Sequence, residues 1–264
     1  MEAPGMVLIT RCTPGGIGHA LALEFSGRGF QVFGTVRSEE TARVLSLAGV
    51  SALQLEVTSE DSMKRPHAEI TQLTNSKLDI LINNVGMSHT VPGLDVNFFS
   101  TIRMVQLFAP LLIKAQGMVV NIGSVAGVVP YVFGGCYNAS KAALHSYTDS
   151  LRIEMAPLKV QVVLIVTGGV KSKISDVKKR LQPDSLYQSI EESYMLRQGN
   201  SQGTAMPTET YAKKVVGDLL NSKTKGWIWR GHQATLVKWL AWLVPRSFWD
   251  YYFSNKFGLY NLRA

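Results

Sequence analysis

Three residues in this chain have the types and the spacing for proton transfer. Ser124 closes an apolar run, Tyr137 follows thirteen residues later, and Lys141 comes four after that, within YNASKAAL. Two residues four apart on a helix share a face, so Tyr137 and Lys141 can point at one ligand. Reducing a ketone takes a hydride and a proton. A free phenol titrates near about 10, which makes it a poor base for the reverse reaction at neutral pH. A neighbouring ammonium favours the phenolate and lowers that value, and a serine hydroxyl can hydrogen-bond the substrate oxygen as charge develops on it. Taken singly, these are an ordinary buried tyrosine, a surface lysine and a turn serine. Their joint spacing is what argues for chemistry.

A second motif lies upstream, where the first apolar run enters TRCTPGGIGHA at 10–20. Glycines at a strand-to-helix turn let backbone approach a pyrophosphate, and the helix N-terminus adds free N–H groups and a positive dipole end. The expected cradle is Thr10, Arg11, Thr13, Gly15, Gly16, Ile17 and Gly18. A tight turn without a ligand is the plainer alternative. At the end of the second apolar run, where a carboxylate would grip ribose hydroxyls and favour NAD, the chain reads Thr35, Val36, Arg37, Ser38. A guanidinium pairs with a 2′-phosphate, so Arg37 points to NADP(H). The alternative is a solvated arginine at a strand end.

The elements that must position these residues alternate. Short apolar runs at Met6–Thr10, Gln31–Val36, Ser51–Leu55, Leu78–Asn83, Met118–Ile122 and Val160–Val166 are separated by helical patterns at Ile17–Arg28, Glu39–Ala48, Ser59–Asn75, Val96–Ala115 and Tyr137–Ala156. Pro110 is expected as a kink or register break. Strands apolar on both faces and alternating with helices predict a doubly wound parallel sheet covered on both sides. A polar segment from Lys171 to Gly203, with a basic run at Lys178, Lys179 and Arg180, reads as a lid. A helix at Thr208–Asn221 and a short strand at Trp227–Trp229 follow.

Bulk properties narrow the class. The chain has 264 residues, 46% hydrophobic and 17% charged, enough to bury one large core. The +8 net charge admits a nucleic acid, an anionic membrane or a phosphorylated ligand. No nucleic-acid-binding motif accompanies it, so no nucleic-acid partner is expected. Cys12 and Cys136 imply neither a disulfide framework nor a metal site, and five scattered histidines make no zinc signature. No basic start with a long apolar run opens the chain, so it is expected to face the cytosol and not to be secreted. No apolar stretch long enough to span a bilayer is evident.

With these motifs in place, the chain resembles the short-chain dehydrogenase/reductase family over residues 6 to about 222. The resemblance rests on the turn at 10–18, NNVG at 83–86, Ser124, and YNASK at 137–141. Among its branches it is similar to the fungal one containing NADPH-dependent 1-acyldihydroxyacetone-phosphate reductases and reductases of secondary metabolism. The resemblance implies that Asn84 and Gly86 stabilise the sheet edge beside the adenine ribose, and that Glu56 and Val57 lie near the adenine. It also implies that Asn97 is a fourth catalytic residue holding a proton-relay water, that Val170 and Ser172 touch the cofactor, and that the lid covers the substrate.

Four positions depart from the family pattern. Arg11 replaces the first glycine of the turn, which either harms cofactor binding or adds a cation near the adenosine phosphate. Glu56 replaces an aspartate. Only Met87–Val96 separates NNVG from the helix carrying Asn97, about three helical turns fewer than usual. Thr167 replaces a proline.

The expectation is therefore an α/β chain, a Rossmann-type doubly wound parallel sheet in a single domain. Residues 1–232 form the NADP-binding domain, with a lid at about 171–206, and 233–264 an aromatic amphipathic tail. The expected activity is NADPH-dependent reduction of a hydrophobic ketone, an acyl-glycerone phosphate or a polyketide or terpenoid intermediate. Tyr137 is the proton donor, Lys141 its tuning cation and Ser124 the carbonyl anchor. The alternative is a non-catalytic nucleotide-binding or membrane-associated protein on the same fold, motivated by Arg11 and the shortened helix. The tail, rich in Trp239, Trp242, Trp249, Phe248, Tyr251, Tyr252 and Phe253 and flanked by Lys238, Arg246 and Lys256, has two readings. It contacts an endoplasmic-reticulum or lipid-droplet surface through 233–255, or it packs over the substrate pocket or against the second subunit of a homodimer.

Overall fold

The computed structural model describes residues 4–87, 93–172, 180–199, 203–221, 224 and 226–262. Lys178 and Lys179 of the basic run, part of the lid and the centre of the Met87–Val96 connection lie outside them.

Seven strands form one sheet: β1 (Met6–Ile9), β2 (Gln31–Val36), β3 (Ser51–Gln54), β4 (Ile80–Asn83), β5 (Met118–Ser124), β6 (Gln161–Thr167) and β7 (Trp227–Arg230). All pairings are parallel, in the order β3-β2-β1-β4-β5-β6-β7. The chain builds outward from β1 to β3, then returns to the other side of β1 with β4. That reversal is where open α/β sheets bind ligands, beyond the strands' C-terminal ends.

Both faces are buried, as the apolar strands require. On one face α1 (Ile17–Gly27), α2 (Glu39–Leu47) and α7 (Thr208–Leu219) cover the sheet with Leu21, Phe25, Leu45, Val215 and Leu219. On the other, α3 (Glu60–Leu73), α4 (Ser100–Ala115) and α5 (Gly135–Met155) bring Met63, Ile70, Phe108, Leu112 and Leu151. The stretch Asp95–Ala115 is long and apolar enough to cross a membrane, and its Met104, Val105, Phe108, Leu111 and Leu112 are buried in this core. The helix runs unbroken through Pro110, so the expected register break does not occur. An exposed helix face tolerates one missing N–H where packing holds the rest.

The remaining helices are α6 (Glu191–Gly199) in the lid segment, and α8 (Ala234–Leu243) and α9 (Arg246–Lys256) in the tail. Val244 takes an extended conformation before Pro245 and ends α8 there. The two tail helices fold back onto the loop that follows β5. Trp249, Phe253 and Phe257 form a satellite core with Val129, and Tyr131 packs edge-on against the rings of Phe253 and Phe257 at 5.5 and 5.9 Å.

Candidate active site

The glycine-rich turn leaves β1 through Arg11, which takes φ +56°, the left-handed conformation a glycine would adopt without cost. Holding it in an L-residue costs about 1–2 kcal/mol. Two bonds fix it: the Arg11 amide donates to Thr35 Oγ1 (3.0 Å), and the Arg11 carbonyl accepts from Asn84 Nδ2 (3.1 Å). The Arg11 guanidinium donates to the carbonyl of Gly86, so it crosses between the turn and the end of β4. The departure at this position is thus accommodated by the backbone, and its side chain enters the site.

Gly15 has φ +77°, and a Cβ at Gly18 would run into Asn84 Nδ2 and the Arg11 carbonyl. The N-terminus of α1 has no side-chain cap, whereas Ser38 and Ser59 cap α2 and α3. The uncapped N–H groups open toward a cavity of about 490 Å³. That combination, a glycine cradle before an uncapped eleven-residue helix, fits a dinucleotide pyrophosphate.

The cavity is lined by Arg11, Thr13, Gly16, Ile17, Asn84, Gly86, Tyr137, Lys141, Val170, Ser172 and Ser124. A second, shallow recess of about 40 Å³ gathers Arg11, Thr13, Arg37, Glu56 and Val57 at the ends of β2 and β3. Burial, then the charge of Arg37, push the Arg11 pKa down, and Glu56 pulls it back up.

Three expected cofactor residues shape the turn that carries this lining. Thr10 is fully buried, and its Oγ1 accepts from the Asn84 amide (2.9 Å), joining β1 to the end of β4. Gly15 and Gly18 shape the turn without lining either recess.

Ser124 ends β5, and α5 begins eleven residues later, carrying Tyr137 and Lys141 on the face toward the sheet edge. Tyr137 and Ser124 line the same cavity. Burial raises the Tyr137 pKa; the Ser124 side chain and then the charge of Arg197 lower it. Lys141 lines the same cavity; its Nζ donates to the Ile122 carbonyl (2.8 Å), and burial brings its pKa down to about 8.

Asn97 sits in a π-helical turn at Asp95–Phe99, fully buried, and is not in the lining of the cavity. Its Nδ2 donates to the Met87 carbonyl and to Ser140 Oγ (both 2.9 Å), and its Oδ1 accepts from the Met87 amide (2.6 Å). Its side chain therefore ties the chain after β4 to the residue preceding Lys141. Thr167, in place of the proline, continues β6 opposite Ser124 and bonds the Tyr211 hydroxyl at 2.7 Å.

Two functional residues carried little sequence signal. His145 lies four residues after Lys141, and its Nε2 accepts from the Ser124 amide (3.2 Å). Burial, reinforced by Lys141, brings its pKa to about 4, so it is a neutral acceptor that fixes the serine's backbone. Gly123 and Gly127 leave the space its ring fills. Its spacing from Lys141 was the available sign. Arg197 on α6 reaches the cavity from the lid segment, and only the tertiary fold brings it there.

The tail closes the far side: Leu236, Val237, Leu240, Trp249, Phe253 and Lys256 line the same cavity. Of the two readings of the tail, packing over the pocket is realised.

Residues 6–182 match the short chain dehydrogenase family. The chain belongs to that family. The short-chain dehydrogenase fogD of Aspergillus ruber is 37% identical over 269 residues, covering 97% of this chain and 94% of that protein. An NADPH-dependent 1-acyldihydroxyacetone phosphate reductase of Schizosaccharomyces pombe is 47% identical over 185 residues, 66% of this chain and 62% of that one. A crystal structure of a short-chain dehydrogenase from Streptomyces avermitilis superposes with a TM-score of 0.77 at 22% identity, over 90% of this chain and 91% of that chain. The chain is accordingly a short-chain oxidoreductase acting on CH–OH groups.

Proposed function

We propose that this enzyme reduces the ketone of a hydrophobic substrate to a secondary alcohol with NADPH, the substrate being an acyl-glycerone phosphate or a polyketide or terpenoid intermediate. The observation that carries the reading is a single cavity with a dinucleotide cradle at one end, the Tyr137–Ser124 pair in its wall and an apolar aromatic lining at the other end. Arg11 and Arg37, together in the recess beyond β2, favour a cofactor with a third phosphate over NADH. The Schizosaccharomyces pombe relative, named as NADPH-dependent, supports the same choice.

The nicotinamide, when bound, supplies the hydride to the carbonyl carbon. The chain's own residues handle the oxygen. Ser124 Oγ donates a hydrogen bond to it, and Tyr137 Oη delivers the proton. Lys141, buried behind Tyr137, keeps a positive charge near the phenolate that remains. His145 and Asn97 act as positioning residues, through the Ser124 amide and through Ser140.

A further reading concerns location. On α8, Leu236, Trp239, Trp242 and Leu243 are 55%, 53%, 77% and 65% exposed. We place this apolar face, flanked by Lys238 and Arg246, on an anionic cytosol-facing membrane or lipid droplet.

Fluorescence titration with NADPH, with NADH as control, is expected to show selective NADPH binding, and a ketone panel is then expected to show NADPH consumption. Binding of neither nucleotide would return the chain to the non-catalytic alternative. Liposome flotation with and without residues 233–264 tests the surface reading; identical flotation removes it. A dimer in solution that loses Trp242 accessibility would assign the face to a second subunit.

A further inference from the structure

The apolar outer face of α8 and the substrate end of the cavity share a residue. Leu236 lines the cavity and is also 55% exposed, so it stands on the rim. Gln233, just before α8, and Tyr252 and Lys256, one turn apart on α9, likewise line the cavity and are exposed. These four residues mark an opening between the start of α8 and the end of α9.

Helical geometry makes the outer and inner surfaces continuous. At about 100° per residue, Leu236, Trp239 and Leu243 fall within about 60° around the α8 axis, and Leu240 lies about 40° beyond Leu236. The first three are exposed, whereas Leu240 and Val237 line the cavity. An apolar surface therefore runs from outside, over Leu236, into the cavity, where Phe248, Trp249 and Phe253 take it up. The surround is basic. Lys256 Nζ lies 5.5 Å from the centre of the Tyr252 ring, Lys238 Nζ lies 5.2 Å from that of Trp239, and Arg246 opens α9. Against these three cations the two helices carry one carboxylate, Asp250. Exposed Trp and Leu beside basic side chains suit the headgroup boundary of an anionic membrane. The same apolar apron is a liability at an entrance that faces only water.

We propose that the opening between α8 and α9 is a lateral portal: seated on an anionic phospholipid surface, the enzyme takes its ketone directly from the acyl-chain region rather than from water. This rests on the surface reading of α8 and extends it to substrate delivery. The ketone so selected has an alkyl or isoprenoid body long enough to partition into lipid. Its carbonyl leads toward Tyr137, and its apolar body follows over Leu236 and Leu240 to Phe253 and Trp249. Passage from lipid to an apolar cavity exchanges one apolar surrounding for another. A detour through water would deplete the travelling species about fourfold for each methylene it exposes.

The test is a transfer experiment, independent of turnover. NBD-labelled methyl decyl ketone is loaded into phosphatidylcholine–phosphatidylglycerol vesicles with a rhodamine-labelled lipid that quenches it until it leaves. Stopped-flow fluorescence then follows its uptake by NADPH-loaded enzyme in excess over the probe. Entry by collision makes the observed rate rise about tenfold over a tenfold range of enzyme concentration, whereas entry through water holds it at the rate of probe desorption. W239S/W242S changes the outer face and leaves the cavity lining intact. It is expected to bring the rate to that desorption floor, while its affinity for probe delivered from solution stays within about twofold of wild type. K238E/R246E, or vesicles of phosphatidylcholine alone, are expected to slow uptake about fivefold or more. A rate independent of enzyme concentration overturns the portal; if the enzyme still floats with the vesicles, the surface reading stands without it. A wild type that does not float removes both. Undiminished collisional uptake in whichever variant folds, or no uptake of the probe from either source, also overturns the portal.

Discussion

The two ends of the cavity are built by different means. At the dinucleotide end, the wall is backbone held by the ends of β1, β2 and β4: a left-handed Arg11, a left-handed Gly15, an uncapped helix and the Asn84 bridge to Thr10 and Arg11. At the substrate end, the wall is side chain: rings from α8 and α9 and a guanidinium from α6, brought from more than fifty residues beyond Tyr137. The first arrangement suits the phosphates and ribose of a dinucleotide and carries no selection for the substrate. The second decides what is reduced. Substitutions at one end should therefore move cofactor affinity and leave substrate selection alone, and the reverse should hold at the other.

Tyr137→Phe tests the point where the ends meet. Turnover is expected to fall about 10²–10⁴-fold with NADPH affinity unchanged, in steady-state assays paired with fluorescence titration; near-normal turnover would show that proton transfer runs elsewhere. His145 predicts a pH effect on stability. Its folded pKa of about 4 lies below the value of 6.5 for the free side chain. The unfolded chain therefore takes up a proton first as pH falls. Stability present above pH 6.5 drains away as pH falls toward 4, by up to about 3 kcal/mol. Urea melts of His145→Gln between those pH values are expected to lose that slope, and an unchanged slope refutes the assignment.

Lys141 has the same sign at higher pH. Its folded pKa of about 8 lies below the free value of 10.5. The buried ammonium thus costs stability at pH 7, and the wild type gains stability as pH rises from 8 to 10.5. Lys141→Met is expected to raise the unfolding free energy at pH 7 by about 1–3 kcal/mol while ending turnover; a lower melting temperature would contradict this. Arg37→Ala is expected to weaken NADPH binding about ten- to hundredfold and spare NADH, and equal loss of both would break the assignment of the recess beyond β2. The smallest effect is reserved for Trp249→Ala, with a roughly tenfold rise in ketone KM at constant NADPH affinity. A matching loss of NADPH affinity would show that the two ends are one mechanical unit.

Most of the dinucleotide end was legible in the sequence because its signals are local. Gln31–Val36 is a strand as read, and the turn, Arg37 and the Tyr137–Lys141 pair fall where their spacing places them. The π turn that carries Asn97 went unread because apolar periodicity does not announce it. The tail was legible as two alternatives only. A helix apolar on nearly all sides gives no local sign of which face meets its own chain; here Val237 and Leu240 turn inward while Trp239 and Trp242 face out. Arg197 carried no sign at all, since an arginine in a polar segment looks solvated until Tyr131 and Val132 are found beside it.

The π turn at Asp95–Phe99 has a consequence of its own. One residue added to a helical turn advances every later side chain by about 100° around the axis. The turn therefore works as a phase corrector. A connection of altered length enters it, and α4 leaves it with Phe108 and Leu112 still facing the sheet. Excising a single residue there would turn that whole helix off its seat.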